Sequence, residues 1–182
     1  PDHDPFDPYT ERDLIPRLRA AAPRIVGLSV CFPGQLQPTF SMAKKIRAAL
    51  PGVHLTVGGP AMTQLLIRQQ KPDGSPSPIL AAALGPFDSA VVYEGEHTLL
   101  RLLHALQDGD GSTDAATRRD RLAAIPNLVV RDATGQAASY RPGHGMEDLK
   151  ALPGPDFDGL PLDRYLSPQL VLPYDPTRGC YW

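Results

Sequence analysis

The chain has 182 residues, a net charge of −2 and a pI near 6.2. This length suits one α/β domain with an appendage, and the near-neutral charge gives no reason to expect a nucleic-acid partner. No apolar run approaches the ~18 residues that span a bilayer, and no signal peptide is visible. Cys31 and Cys180 do not make a disulfide framework. We therefore expect a cytoplasmic protein without a membrane or nucleic-acid partner.

Taken in chain order, a proline-rich start precedes a helical pattern around Leu14 and Leu18, in which Pro16 is out of place. Residues 25–59 then predict a strand, a helix and a strand, since two apolar, β-branched runs flank a segment with apolar residues four apart. Such a unit makes a parallel strand pair with a right-handed crossover. The first run, residues 25–31, is nearly all apolar, which predicts a strand buried on both faces.

Beyond this unit the sequence predicts further helices, one more parallel strand and a β-hairpin. The helices are expected at 61–70, 79–84, 98–106 and 115–124, the third strand at 87–93, and the hairpin strands at 127–132 and 136–141. Residues 71–78 read as a polar, proline-rich connector. Residues 142–168 read as an irregular linker, with a last short strand at 169–173.

Two places are candidates for a ligand, because open α/β sheets bind ligands outside the carboxyl ends of their strands. They are residues 29–35 and 58–61. The glycine pair at 58–59 either leaves room for a ligand or makes a tight strand–helix turn, and the residues alone favour neither. Ser29 lies inside an apolar run, so its hydroxyl needs a partner, either a backbone carbonyl or a ligand.

Other reactive residue types favour structural interpretations. Cys31 is more typical of a small buried apolar residue than of a nucleophile. Residues 94–97, Glu-Gly-Glu-His, are too few for a metal site, and a helix macrodipole explains acidic residues at a helix start. His54 alternates with apolar positions on a strand, so we expect it to be packed or edge-exposed rather than catalytic.

Three features together resemble the cobalamin-binding Rossmann-like domain of cobalamin-dependent methionine synthase and mutases. The runs Ile-Val-Gly-Leu-Ser-Val and Val-Gly-Gly match its Ser-x-Leu element and Gly-Gly pair, with 28 residues between Ser29 and Gly58 and with Cys31 where the family has Leu. Residues 92–96, Val-Tyr-Glu-Gly-Glu, resemble a strand exit common where this domain is fused to radical S-adenosylmethionine (SAM) enzymes. Residues 152–165, followed by residues 173–180 ending in Arg-Gly-Cys, resemble the junction into the radical SAM barrel.

The resemblance implies a binding mode for cobalamin. The nucleotide tail would lie among the strands, with Ser29 hydrogen-bonded to it and the glycine pair leaving room for it. Loops 31–36, 59–62 and 93–96 would lie beneath the corrin ring. Phe32, Gln35 or Tyr93 would shield the lower face of the ring. The implied cofactor-binding residues are Ser29, Val30, Cys31, Phe32, Gln35, Gly58, Gly59, Pro60, Tyr93, Glu94 and Gly95.

The resemblance also implies a larger enzyme. The expected fold is α/β, a Rossmann-like (flavodoxin-like) parallel sheet with helices on both faces at 1–125, followed by a β-hairpin and linker at 126–168 and the start of an absent or truncated barrel at 169–182. Cys180 would be the first ligand of the [4Fe–4S] cluster, but one thiolate cannot hold four irons. We therefore expect no radical chemistry from this chain alone.

In the intact parent, S-adenosylmethionine and the cluster would generate a radical, and methylcobalamin would deliver a methyl group to an unactivated carbon of a small-molecule or peptide substrate. The family's Asp-x-His-x-x-Gly motif would fall before residue 1, so a strand–helix–strand of the family is expected to be missing here, or the sheet to be reduced. Two alternatives stay open: a degenerate Rossmann-like docking module that binds no cobalamin, and a flavodoxin-like nucleotide- or flavin-binding domain.

Overall fold

A computed structural model describes residues 4–107, 114–143 and 145–166, together with Gln169 and Val171. In these residues one five-stranded sheet runs in the order β1-β2-β3-β4-β5. Its strands are β1 (Ile25–Ser29), β2 (His54–Gly58), β3 (Ser89–Val91), β4 (Leu128–Arg131) and β5 (Ala138–Ser139). The first three strands are parallel, as predicted, and the predicted hairpin is confirmed as the antiparallel pair β4–β5.

The hairpin does not stand apart from the sheet, because β4 pairs antiparallel with β3 along three residues. The sheet is therefore mixed: its first three strands are parallel, as predicted, while the hairpin, which was expected to follow the sheet, is part of it. Hydrophobic alternation marks a strand but says nothing of its neighbour, so the sequence could not place the hairpin. A mixed five-stranded sheet with helices is compatible with the predicted α/β Rossmann-like class.

The helices follow the apolar spacing of the sequence closely. They are α1 (Asp7–Tyr9), α2 (Ile15–Ala21), α3 (Leu36–Ala49), α4 (Pro60–Ile67), α5 (Pro78–Leu84), α6 (Glu96–Gln107) and α7 (Ala115–Ala123). A π-helical segment, Thr10–Leu14, joins α1 to α2. It widens the helix just before Pro16, where a regular turn would clash with the proline ring. Pro16 is thereby accommodated without ending the helix.

Apolar side chains cover both faces of the sheet, as predicted. On one face Leu55 and Val57 of β2 pack with residues of α3, α4 and α5. On the other face Val91 and Val130 pack with Leu102 of α6 and residues of α7. We call these the α3 face and the α6 face.

Strand β1 differs from its prediction. It lies at the edge of the sheet and pairs only with β2 in the described structure. Val26 and Leu28 pack into the core on the α3 face, but Gly27 and Ser29 are exposed. The prediction of a strand buried on both faces was therefore wrong, because Ile25 alone of β1 joins the core on the α6 face.

The chain divides into two compact units, Pro1–Gly145 and Met146–Trp182. Within the described part of the second unit there is one 3-10 turn, Leu162–Arg164, in otherwise irregular chain that fits the predicted linker. The predicted strand at 169–173, the barrel start and Cys180 lie outside the described residues, apart from Gln169 and Val171. None of the described helices has the length and apolar character needed to cross a membrane.

Candidate functional site

The carboxyl ends of β1 and β2 bring the two predicted ligand-binding places together. Their parallel register sets Ser29 directly opposite Gly58. Past the strands, the Val30 N–H donates to the Gly58 carbonyl at 2.9 Å, and the Ala61 N–H donates to the Val30 carbonyl at 3.1 Å. Val30 itself is fully buried, so its backbone ties the two strand ends while its side chain packs in the core.

Four small residues of β1 and β2 share the α6 face at this edge. Because side chains alternate along a strand, Gly27 and Ser29 lie on that face beside their cross-strand neighbours Thr56 and Gly58. We call these four residues the small-residue face. Gly27 and Ser29 are exposed, and the Ser29 hydroxyl has no hydrogen-bond partner among the residues that the structure describes. The expectation that this hydroxyl is buried was therefore wrong.

The fold requires glycine at position 59 but not at position 58. Gly59 has a φ of +97°, and a Cβ there would lie 2.5 Å from the carbonyl oxygen of Val30. The fold itself therefore requires Gly59, for a tight strand–helix turn before Pro60, the first residue of α4. At Gly58 a Cβ would lie 3.4 Å from the Val91 carbonyl oxygen, an ordinary contact, so the fold would accept a side chain there.

Cys31 and Phe32 form the exit from β1. Both are exposed, with 68% of the Phe32 surface accessible. The expectation of a buried Cys31 was wrong, because β1 ends at Ser29 and the chain leaves the sheet two residues later. The side-chain amide oxygen of Gln35, Oε1, accepts hydrogen bonds from the backbone N–H groups of Cys31 at 2.9 Å and Phe32 at 3.1 Å. Gln35 thus holds the turn, which limits what it can offer to a ligand.

Tyr93 adopts an uncommon backbone conformation at the exit from β3. Its φ is +64°, a left-handed region that strains a residue with a large side chain. The Tyr93 N–H donates to Thr63 Oγ1 of α4 at 3.0 Å, which helps to hold this conformation. The ring is 39% exposed. Burial, followed by a side-chain hydrogen bond with Tyr93, raises the pKa of Tyr140 to about 12.

Glu94 and Gly95 continue this exit into α6, which begins at Glu96. Glu94 is half-buried and has an interaction partner. A Cβ at Gly95 would lie 3.1 Å from a Val91 methyl group, a tight approach. The predicted residues from all three loops therefore follow adjacent parallel strands at one edge of the sheet.

His54 lies at the opposite end of the strands, where β2 begins. It is buried, which is the packed alternative of the two expected for it. Its Nε2 is 2.9 Å from Ser89 Oγ, which in turn is 3.0 Å from Thr56 Oγ1. Burial lowers the pKa of His54, and the charges of Arg118 and Arg47 add to this against the opposing charge of Asp88.

Sequence reasoning missed a cavity of about 660 Å³ beside His54. Its walls come from segments far apart in the chain, including α3, α7 and the β4–β5 turn. The sole sequence signal was the adjacent basic pair Arg118 and Arg119, and charged residues on a helix are ordinarily just solvated. Their position over a cavity emerges only from the fold.

A scan of protein-family models found no match to this chain, and a search of curated proteins found none either.

In the described part of the chain, no group of three or more His, Cys, Asp or Glu side chains is placed to hold a metal ion.

Proposed function

We propose that this chain is the cobalamin-binding portion of a cobalamin-dependent radical SAM enzyme, a methyltransferase acting on an unactivated carbon. The observation that carries the proposal is the small-residue face. Ser29 lies opposite Gly58 at the carboxyl edge of a parallel strand pair, where α/β sheets bind their ligands. The resemblance of the sequence to the cobalamin-binding family assigns the same two residues to the nucleotide tail.

The small-residue face fits a ligand that lies flat against the strands. A Cβ at Gly27 would meet Thr56 Cγ2 at an ordinary 3.5 Å, so neither Gly27 nor Gly58 is needed for backbone reasons. Glycine inside a strand weakens it by roughly 0.5–1 kcal/mol relative to alanine. Two such glycines beside an exposed hydroxyl leave the backbone open to close approach by a ligand.

Each implied residue then has a physical role. Ser29 would hydrogen-bond the nucleotide tail, and the backbone at Gly58 would accept its close approach. Phe32 and Tyr93 present exposed aromatic rings at the exits of β1 and β3, where they would exclude water from the lower face of the corrin. Cobalamin, when bound, supplies the methyl-transfer chemistry, while the protein positions it.

One alternative has a specific observation in its favour. Gly27 and Ser29 are exposed, so no described helix encloses a tail against them. A docking module that binds a partner surface rather than cobalamin would leave this face open in the same way. The two functions differ in whether a corrinoid is retained, and a flavin-binding domain would retain a different chromophore.

The test is to add hydroxocobalamin to the full chain, desalt it and record the visible spectrum. Near-stoichiometric corrinoid supports the proposal, and none contradicts it. Gly27→Val should keep the strand, because valine favours strands, but should block the face and abolish retention. Gly52→Ala is the matched control, since no atom lies within 4 Å of a Cβ there. Retention by Gly27→Val at the level of the control would refute this placement of the tail.

A further inference from the structure

The amino edge of the sheet carries a cavity of about 660 Å³. This edge holds the start of β2, the residue before β3 and the end of β4. Ser29 and Gly58 lie at the other end of the strands, four residues along β2 from His54. The cavity is an open, polar cleft, and its volume falls within the range of small-molecule sites, roughly 300–1,000 Å³. The charged and titratable residues of its lining are Arg47, His54, Asp88, Arg118, Arg119 and Arg131, with Asp132 at the hairpin turn.

Two of the four arginines are committed to the fold. Arg47 donates to the Val53 carbonyl at 2.8 Å and forms an ion pair with Asp88. Arg131 donates to the Gly85 carbonyl at 2.6 Å. These side chains shape the wall of the cavity, because their donors are directed at protein groups.

The two acidic side chains of the lining are likewise committed. Asp88 pairs with Arg47 and also accepts the Leu55 N–H at 2.7 Å. Asp132 accepts the Thr134 hydroxyl at 2.8 Å and the Ala137 N–H within the hairpin turn, which lowers its pKa. Neither carboxylate forms an ion pair with an α7 arginine in the described structure.

Arg118 and Arg119 of α7 remain. Among the described residues neither guanidinium has a hydrogen-bond or ion-pair partner; Arg118 is exposed and Arg119 half-buried. The chain as a whole is slightly acidic, with a net charge of −2, whereas the lining of this cavity holds four arginines against two aspartates, a local excess of positive charge. The start of α7 is closed to an anion, because the Asp114 carboxylate caps it at 2.8 and 3.0 Å.

We propose that this cavity binds the phosphate group of a small phosphorylated molecule, with Arg118 and Arg119 as the phosphate ligands and His54 in the wall that faces the rest of the molecule. A planar guanidinium matches the geometry of a phosphate through paired N–H donors, and two of them neutralise a dianion. The volume exceeds what a lone phosphate needs, which is why the ligand is a phosphorylated molecule.

The test uses the full chain and three probes in calorimetric titrations. Ribose 5-phosphate is the phosphorylated probe, ribose is the same sugar without the phosphate, and succinate is a dianion that carries carboxylates instead. We expect saturable binding of ribose 5-phosphate alone. No binding of ribose 5-phosphate would overturn the proposal, and so would succinate binding as tightly, since the site would then not select phosphate.

Variants of α7 locate the site. Arg118→Gln with Arg119→Gln preserves helix propensity and should weaken ribose 5-phosphate binding by roughly tenfold or more for each guanidinium removed. Arg101→Gln with Arg17→Gln, both on exposed helix surface outside the lining, is the charge-matched control and should bind as the unchanged chain does. Equal binding by the double variant and the control would overturn the proposal.

The outcome is independent of the proposed function. The double variant should retain cobalamin fully, because Arg118 and Arg119 are not part of the small-residue face, and Gly27→Val should bind ribose 5-phosphate normally, because Gly27 is not in the lining of the cavity. Circular dichroism of the same samples checks that each variant is folded, and loss of cobalamin retention by a folded double variant would contradict the separation of the two sites.

Discussion

At the carboxyl edge of the sheet, Ser29 and Gly58 present almost no side chain, whereas at the amino edge the charged side chains of Arg47 and Asp88 line a cavity. The first edge is held by backbone hydrogen bonds through Val30. The second is held by side-chain bonds that reach from α3 to β2 and β3. The carboxyl edge is open because its residues are small. The amino edge is open because α3, α7 and the β4–β5 turn leave a space between them.

The largest effect is expected at Gly59. Alanine there would put its Cβ 2.5 Å from a backbone oxygen at a φ of +97°, so Gly59→Ala should lower the free energy of unfolding by more than about 3 kcal/mol. Urea unfolding measures this. Gly135→Ala, with a φ of +71° but nothing within 4 Å, isolates the conformational cost and should lose only about 1 kcal/mol. Equal losses would show that the close approach to Val30 is unimportant.

A smaller effect is expected at the amino edge. Arg47→Met keeps the packing of the stem but removes the bonds to Val53 and Asp88. The Arg47 and Asp88 side chains are 30% and 40% exposed, so solvent screens the pair and the loss should be about 1–2 kcal/mol. Arg17→Met on exposed α2 surface is the control. Equal unfolding midpoints for the two variants would show that the Arg47 bonds do not stabilise this edge.

The third prediction concerns pH. Because burial lowers the pKa of folded His54, the unfolded chain takes up its proton first as the pH falls. Stability should therefore decrease below about pH 6.5, the unfolded value, and level off once the folded group is protonated. Asp88 opposes the lowered pKa while Arg47 and Arg118 support it. His54→Gln should flatten this part of the stability profile; an unchanged slope would show that His54 does not cause it.

The smallest effect on stability is expected at Gly58. Its Cβ would meet the Val91 carbonyl oxygen at 3.4 Å, so Gly58→Ala should change the free energy of unfolding by less than about 1 kcal/mol. The same variant should weaken cobalamin retention in the desalting assay. A large loss of stability instead would mean that the fold, rather than a ligand, requires this glycine.

Local patterns predicted most of the elements. The apolar spacing of residues 36–49 and the two flanking apolar runs were enough to place α3 between β1 and β2, because helix and strand periods are properties of neighbouring residues. That Ser29 and Gly58 lie at the same end of the sheet followed from the parallel crossover, and the structure added the register that sets them opposite each other. The exposure of Ser29 and Cys31 did not follow, because burial at a sheet edge depends on which helix covers it.

The sequence by itself determined the strand–helix–strand unit, the hairpin and the edge at which small residues gather, since these depend on local periodicity and turn residues. Only the tertiary structure decided that β1 is an edge strand, that β4 joins β3, and that Arg118 of α7 lies over a cavity beside His54. Those features depend on contacts between residues distant in the chain, and no local pattern records them.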